Sequence, residues 1–324
     1  MPSPSDAGSF WSGRRVFITG AAGFVGSWLS EALRDAGAHV TGLVWPMDAD
    51  AGGSPPVGPA GIDVVHGRVE DAPTVERVLR DSRPDTVFHL AAVNVNVGTG
   101  TPPTTIFETN IRGTWCVLEA CRLTPSVERI VVASSREAEN GGRRRHPYQV
   151  SKMAAELVAR SYSDTYGLPV AISRSDNVYG GRDLNWHRLI PGTLRALLGG
   201  EAPVLRSDGT LARDYVHVDD IVRAYMALGV RAGEAGVRGE VFHFATGTST
   251  SALEIVRQLC ELTDRAGLMP IVQEASTGER VNQPRSTARE SDLLGWTSHV
   301  GIHEGLRSTV DWYRAYLNRS AASH

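Results

Sequence analysis

An α/β fold, built as a doubly wound parallel sheet with a smaller C-terminal lobe, is what this 324-residue sequence predicts. Three observations carry that expectation. The β-branched run Val16-Phe17-Ile18-Thr19 ends in glycines three apart, Gly20, Gly23 and Gly26, and Trp28, Leu29, Ala32 and Leu33 follow at helical spacing. Strand and helix patterns then alternate with short links to residue 135, as a parallel sheet covered on both faces requires. Beyond residue 170 the chain becomes loop-rich and closes on a strong helix, which sets a second lobe apart.

The glycines come first in the chain and in importance. Glycine lets the turn bend sharply, lets a pyrophosphate approach the backbone and lets helix pack on strand, while the helix N-terminus offers free N–H groups to an anion. The spacing is G-x-x-G-x-x-G rather than G-x-G-x-x-G, but its place after a first strand near the N-terminus assigns dinucleotide binding. His39–Val44 reads as the second strand. Where an acidic residue often closes this strand and holds ribose hydroxyls, Val44 and Trp45 stand instead, Asp48 and Asp50 arrive late, and no Arg or Lys follows for a 2′-phosphate. NAD is therefore favoured, with NADP not excluded.

Residues 49–60 are rich in Gly and Pro and read as a loop, 62–65 as a short strand and 72–80 as a helix. Residues 86–92 form a buried strand running into Leu90, Ala91 and Ala92, small enough at its end to leave room for a cofactor. Phe107, Ile111, Thr114, Trp115 and Leu118 mark one face of a long helix that contains Asn110, and Arg129–Ser135 is another strand.

Composition bounds the function. With 41% hydrophobic and 21% charged residues the chain is an ordinary globular protein, and a net charge of −3 gives no general attraction to nucleic acid or anionic membrane. Cys116, Cys121 and Cys260 show no metal spacing and suit a reduced interior. No apolar run approaches the roughly 20 residues of a membrane span. Residues 1–13 lack a signal-peptide core and read as a loose tail, so the expected compartment is the cytoplasm.

Chemistry concentrates after the strand ending in Ser134 and Ser135. Tyr148-Gln149-Val150-Ser151-Lys152 opens the next helix, with Tyr148 and Lys152 one turn apart on one face. An ammonium beside a phenol lowers a pKa that starts near 10, and a poised phenolate beside a strand-end hydroxyl is a general base for an alcohol.

In these motifs, taken in order, the chain resembles the extended short-chain dehydrogenase/reductases, in the group of NAD-dependent nucleotide-sugar epimerases and dehydratases. The resemblance runs from about residue 15 to 317. It covers the glycine turn, His89-Leu90-Ala91-Ala92, Asn110, Ser135, Tyr148, Lys152, Arg174-Ser175-Asp176-Asn177-Val178-Tyr179-Gly180 and Arg213-Asp214-Tyr215-Val216-His217-Val218-Asp219-Asp220. Asp183-Leu184-Asn185-Trp186 and Arg188-Leu189-Ile190-Pro191 are similar to relatives of CDP-glucose 4,6-dehydratase.

The resemblance implies a Rossmann-like dinucleotide domain over 14–175 with returning segments near 214–245, and a nucleotide-sugar lobe over about 176–213 and 246–324. Residues 170–173 and 240–245 read as strands, and 204–215 as polar loop. Residues 191–198, 216–228, 304–317 and a segment capped by 248–251 and ending at Leu262 read as helices. The cofactor residues it implies are Gly20, Gly23, Phe24, Val25, Gly26, Arg68, Val69, Leu90, Ala91, Ala92, Asn110, Tyr148, Lys152 and Ser175. Catalysis falls to Ser135, Tyr148 and Lys152. Substrate contacts fall to Asn94, Ser135, Glu137, Asn177, Arg188, Leu189 and Arg213, with no metal. It also implies a homodimer through the helices 105–122 and 148–166, with Trp115, Leu118, Leu157 and Val158 as candidate contacts.

Departures from the family pattern narrow the reaction. Arg68 stands where relatives usually carry an Asp that reads adenine. Twelve residues separate Ser135 from Tyr148, fewer than usual, with Glu139-Asn140 in place of Tyr-Gly and Arg143-Arg144-Arg145 in the shortened loop, which invites a larger substrate. Dehydratases of the group place an acid directly after the Ser or Thr; here Arg136 is there and Glu137 follows. A 4-epimerase is the expected activity. A 4-ketoreductase is the alternative, then a 4,6-dehydratase or uronic acid decarboxylase, and, in another class, a non-catalytic dinucleotide sensor.

Overall fold

The structure is a computed structural model, and it describes residues 9–45, 58–94, 101–139, 146–273 and 285–322. Asp48, Asp50, most of the 49–60 loop, Asn140 and the Arg143–Arg145 run lie outside the described residues. The chain forms two compact units, one of Met1–Ser175, Val222–Phe244 and Ala288–Trp296, the other of Asp176–Ile221, Ala245–Thr287 and Thr297–His324.

The first unit is organised by six successive strands: β1 (Arg15–Thr19), β2 (His39–Val44), β3 (Asp63–His66), β4 (Thr86–His89), β5 (Arg129–Ser135) and β6 (Val170–Ser175). With Val241–Phe244 returning at one edge, the sheet order is Val241–Phe244, β6, β5, β4, β1, β2, β3, every pair parallel. The order reverses at β1, so the crevice beyond the C-terminal ends of β1 and β4 is where such a sheet binds ligands. The helices of this unit include α1 (Phe24–Asp35), α2 (Ala72–Ser82), α3 (Pro103–Phe107), α4 (Gly113–Arg122) and α5 (Pro147–Tyr166). Phe17, Val87, Ile130, Val132 and Ile172 from the strands meet Val78, Leu79, Val117 and Ala159 from the helices in one core.

Three expectations are corrected here. The start of the chain is not loose from Ser9 onward: Trp11 is fully buried, tilted against Phe88 at 5.9 Å, and Gly229 leaves room for both rings. The buried strand ends at His89 rather than residue 92, because Leu90 N–H still donates to Thr19 C=O at 3.2 Å while Ala91 N–H turns to the Thr19 hydroxyl. The long helix is interrupted by a π-helical turn, Glu108–Arg112, between α3 and α4. Such single turns inside α-helices are frequent at functional sites; here the turn carries the buried Thr109 and Asn110. Of the four residues expected on a dimer face, Trp115 and Leu157 are exposed, whereas Leu118 is fully buried and Val158 packs on the core.

In the second unit, helices Leu189–Leu198, Ala252–Leu262 and Ile302–Ala322 pack through Leu194, Leu197, Ile255, Leu259, Leu306, Val310 and Tyr313. Residues 204–217, read as polar loop and helix start, instead contain the strands Val204–Leu205 and Ala212–His217, so Val216 and His217 precede the helix Val218–Arg231. Ala212–His217 lies between Ser249–Ser251 and Asn177–Tyr179 in a three-stranded sheet. Two buried carboxylates tie loops down. Asp220 accepts from Ser298 Oγ at 2.9 Å and Val300 N–H at 3.0 Å, and Asp214 from Thr246 N–H at 2.9 Å and Gly247 N–H at 2.8 Å. Among the described residues no helix is long and apolar enough to cross a membrane.

Candidate active site

The glycine turn closes β1 with the backbone it needs. Gly20 has φ +74°, and a Cβ there would lie 2.9 Å from the Ala91 backbone; a Cβ on Gly26 would lie 2.1 Å from Gly20 O. Gly23 caps α1 with no side-chain hydrogen bond, and no acid stands in the first turn. A helix N-terminus left uncapped by side chains and free of negative charge suits a pyrophosphate. Phe24 and Val25 begin that turn, and Val69 is buried against Gly113. The turn, β1 and the strap Leu90–Ala92 are thus held together at the switch point.

From the turn a chain of hydrogen bonds runs to the helix that carries Tyr148. Ala91 N–H donates to Thr19 Oγ1 at 3.2 Å. Because Thr114 spends its own hydrogen on Asn110 C=O and so accepts from His89 Nε2, the Thr19 hydroxyl donates to His89 Nδ1 at 2.8 Å. That assigns His89 as the neutral Nε2–H tautomer, donating to Thr114 Oγ1 at 3.0 Å. Thr114 in turn donates to Asn110 C=O at 2.7 Å. The Asn110 amide takes Val93 N–H at 2.7 Å, returns a bond to Val93 C=O at 2.9 Å, and donates to Ser151 Oγ at 2.9 Å. Ser151 donates to Tyr148 C=O at 2.7 Å.

Burial, reinforced by Lys152, lowers the His89 pKa to about 3. The unfolded chain, with a histidine near 6.5, binds one more proton than the native state between those values, so this residue's contribution to stability is lost as pH falls from 6.5 towards 3. In urea melts at stepped pH, the wild type is expected to lose stability faster than His89→Gln by up to about 1.4 kcal/mol per pH unit in that window. Equal slopes would remove the assignment.

Lys152 is buried and its Nζ donates to Ala133 C=O at 2.9 Å, two residues before Ser135. The ammonium lies 5.9 Å from the Tyr148 ring centroid. Burial lowers its pKa to about 8, with the Glu156 carboxylate opposing the fall, so it remains a cation at neutral pH. α5 starts where His146 caps it, accepting from Tyr148 N–H at 3.4 Å while Gln149 Oε1 takes His146 N–H at 3.0 Å. Gln149 also donates to Glu137 Oε2 at 2.6 Å, and Glu137 N–H donates to Ser135 Oγ at 3.2 Å. Ser135, Glu137 and the first turn of α5 are therefore one connected group.

Behind them lies an ionic cluster with no counterpart in the sequence reading. Ser134 donates to Glu156, which also takes Arg174 Nε at 2.7 Å and pairs with its Nη2; Arg174 Nη1 reaches Glu139 at 3.0 Å. Strand alternation sends neighbouring side chains to opposite faces, so the two serines have different work: Ser134 belongs to this cluster and Ser135 to the Tyr148 side. Ser175, opposite Ser135 in the ladder, has a buried hydroxyl. Asn94 is exposed beyond the strap.

The remaining candidates lie in the second unit. Asn177 stands opposite Tyr215, and its amide donates to Asp214 C=O at 3.1 Å; Arg213 is in the same small sheet opposite Thr250. Arg188 caps the helix Leu189–Leu198 and pairs with the buried Asp183 at 2.9 Å, whose carbonyl accepts from Tyr313 OH; Leu189 packs on the core of that unit. The signals that point to the overlooked residues are short-range: Thr114 lies four after Asn110, Ser151 beside Lys152 and Glu156 four beyond it.

A dinucleotide turn at the reversal of a seven-stranded parallel sheet, followed by Ser135, Tyr148 and Lys152 on the next strand and helix, defines an extended short-chain dehydrogenase/reductase. The model of the NAD dependent epimerase/dehydratase family matches residues 16–245, and the chain belongs to that family, whose cofactor is NAD. It is 31% identical to a dTDP-glucose 4,6-dehydratase of Streptomyces antibioticus, over 92% of both chains. It is 30% identical to a UDP-glucose 4-epimerase of Mycolicibacterium smegmatis, over 93% of this chain and 98% of that one. Among solved structures, the epimerase Mth375 of Methanothermobacter thermautotrophicus superposes with a TM-score of 0.84 at 27% identity, over 98% of this chain and 97% of that one.

Proposed function

We propose that the protein is a nucleotide-sugar 4-epimerase working through a transient 4-keto sugar. Tyr148, as phenolate, takes the proton of the C4 hydroxyl; Lys152 stabilises that phenolate; Ser135 hydrogen-bonds the reacting oxygen. NAD bound in this site would supply the hydride acceptor and donor, and Tyr148 gives its proton back to the oxygen when the ketone is reduced on its other face. Gly20, Gly23 and Gly26 with the first turn of α1 would hold the pyrophosphate of NAD, with Leu90–Ala92 and Asn110 as further cofactor contacts. Asn177 and Arg213 hold the diphosphate of the substrate, Arg213 by charge-assisted bonds.

The observation that carries epimerisation over dehydration is Arg136. Losing water from the ketone needs an acid at the leaving C6 hydroxyl, and a guanidinium is a poor proton donor at any working pH. Glu137 alone supplies no acid–base pair. With a panel of nucleotide hexoses, mass spectrometry is expected to find a product of unchanged mass and altered chromatographic position. Loss of one water at a catalytic rate, abolished in Tyr148→Phe, would restore the dehydratase.

The exposed Trp115 and Leu157 support an isologous homodimer through the helices around α4 and α5. Light scattering at micromolar concentration should return twice the chain mass, and a monomer mass would contradict it. Three unbridged, buried cysteines support the cytoplasm as its compartment.

A further inference from the structure

The far end of the dinucleotide site departs from what an unphosphorylated ribose requires. In sheets of this kind an acidic residue closing the second strand takes the ribose hydroxyls, whereas a nearby arginine accommodates a 2′-phosphate. Here β2 closes with Val44, and Trp45 follows. Nothing cationic comes next in the sequence, but the neighbouring strand brings a cation to the same place. β3 pairs with β2 so that His66 lies opposite Val44, and Gly67 N–H donates to Val44 C=O at 3.0 Å. One residue on, the Arg68 guanidinium lies over the Trp45 ring, its Cζ 4.3 Å from the centroid.

That guanidinium is fixed twice, by the indole under its face and by a carboxylate on one edge. Nε and Nη2 both lie 2.7 Å from Glu70 Oε1. Of its five N–H groups the Glu70 edge uses two, and the rest belong to a side chain that is 44% exposed, against 11% for Glu70. The carboxylate is thus the more buried partner, and an arriving anion meets the guanidinium first. An arginine already held in plane loses little freedom on pairing with a phosphate, and such pairs are charge-assisted and bidentate. His66, exposed at the end of β3, adds a second donor at that end.

We propose that Arg68, seated on Trp45, reads a 2′-phosphate, and that this chain binds NADP(H) as well as NAD(H). The inference rests on the family's dinucleotide site and not on the epimerase reading.

Calorimetric titration of the full chain, exchanged free of co-purified nucleotide, tests it with NAD+ and NADP+. The Kd for NADP+ is expected within threefold of that for NAD+, or below it. Arg68→Gln should raise the NADP+ Kd at least tenfold and the NAD+ Kd less than threefold. Because Arg68 also neutralises Glu70, the double variant Arg68→Gln/Glu70→Gln is measured beside it, and the same selective loss is expected. NADP+ bound thirtyfold more weakly than NAD+ by the wild type would overturn the proposal. So would an equal loss of both dinucleotides in both variants, which would mean that the guanidinium serves the adenine alone. Since only binding is read, either failure leaves the epimerase proposal to its own product test.

Discussion

Tyr148→Phe is expected to lower kcat about a thousandfold, within the range that a positioned acid–base group supplies, while the affinities for NAD and nucleotide sugar stay within about threefold. The reason is that the fold around Tyr148 is held by other groups. The first turn of α5 is held by backbone and neighbours, through the His146 cap, the Gln149–Glu137 bond and Ser151 donating to Tyr148 C=O. Lys152 rests on Ala133 C=O independently of the phenol. The variant therefore keeps its fold and loses its proton carrier. Lys152 adds a pH signature. Its pKa lies near 8, lowered by burial, so the cation beside Tyr148 disappears as pH rises through that value and turnover should fall above it. In Lys152→Arg, which cannot lose its charge, that alkaline fall should vanish from the kcat profile. A Tyr148→Phe enzyme within tenfold of wild type would show that another group carries the proton.

The parts of this molecule that were legible beforehand are those decided locally. His39–Val44 and Arg129–Ser135 are short apolar runs bounded by polar or turn residues, and they are strands with those bounds. The glycine turn and the Tyr148/Lys152 spacing were readable because each needs only one segment of chain. What was hidden depends on partners far away in sequence. The π-helical turn exists where Asn110 bonds both backbone groups of Val93, 17 residues earlier. Trp11 is buried because Phe88 and Gly229 receive it. The His89 tautomer needs threonines from two other elements, and Arg68 reaches Trp45 only through the β2–β3 register. Glu139, Glu156 and Arg174 lie on three different elements, and only the fold turns them towards one another.

That cluster sets the second large effect. Arg174 pairs with both Glu156 and Glu139, and Glu156 is almost wholly buried. Removing one member of a buried pair leaves an uncompensated charge, at a cost of about 3–5 kcal/mol, whereas replacing both by apolar groups is often close to neutral. Arg174→Leu is thus expected to lose about that much stability in urea melts, and to melt about 4–7 °C lower. The double variant Arg174→Leu/Glu156→Leu should recover most of the loss. The two variants also separate stability from chemistry, because Glu156 opposes the fall in the Lys152 pKa. Without that carboxylate the ammonium is harder to keep charged, so the alkaline fall in turnover of the double variant should move to lower pH although its melting is restored. An Arg174→Leu protein within about 1 kcal/mol of wild type, or a double variant no more stable than the single, would show that solvent screens the cluster and that it does not hold β5, β6 and α5 in register.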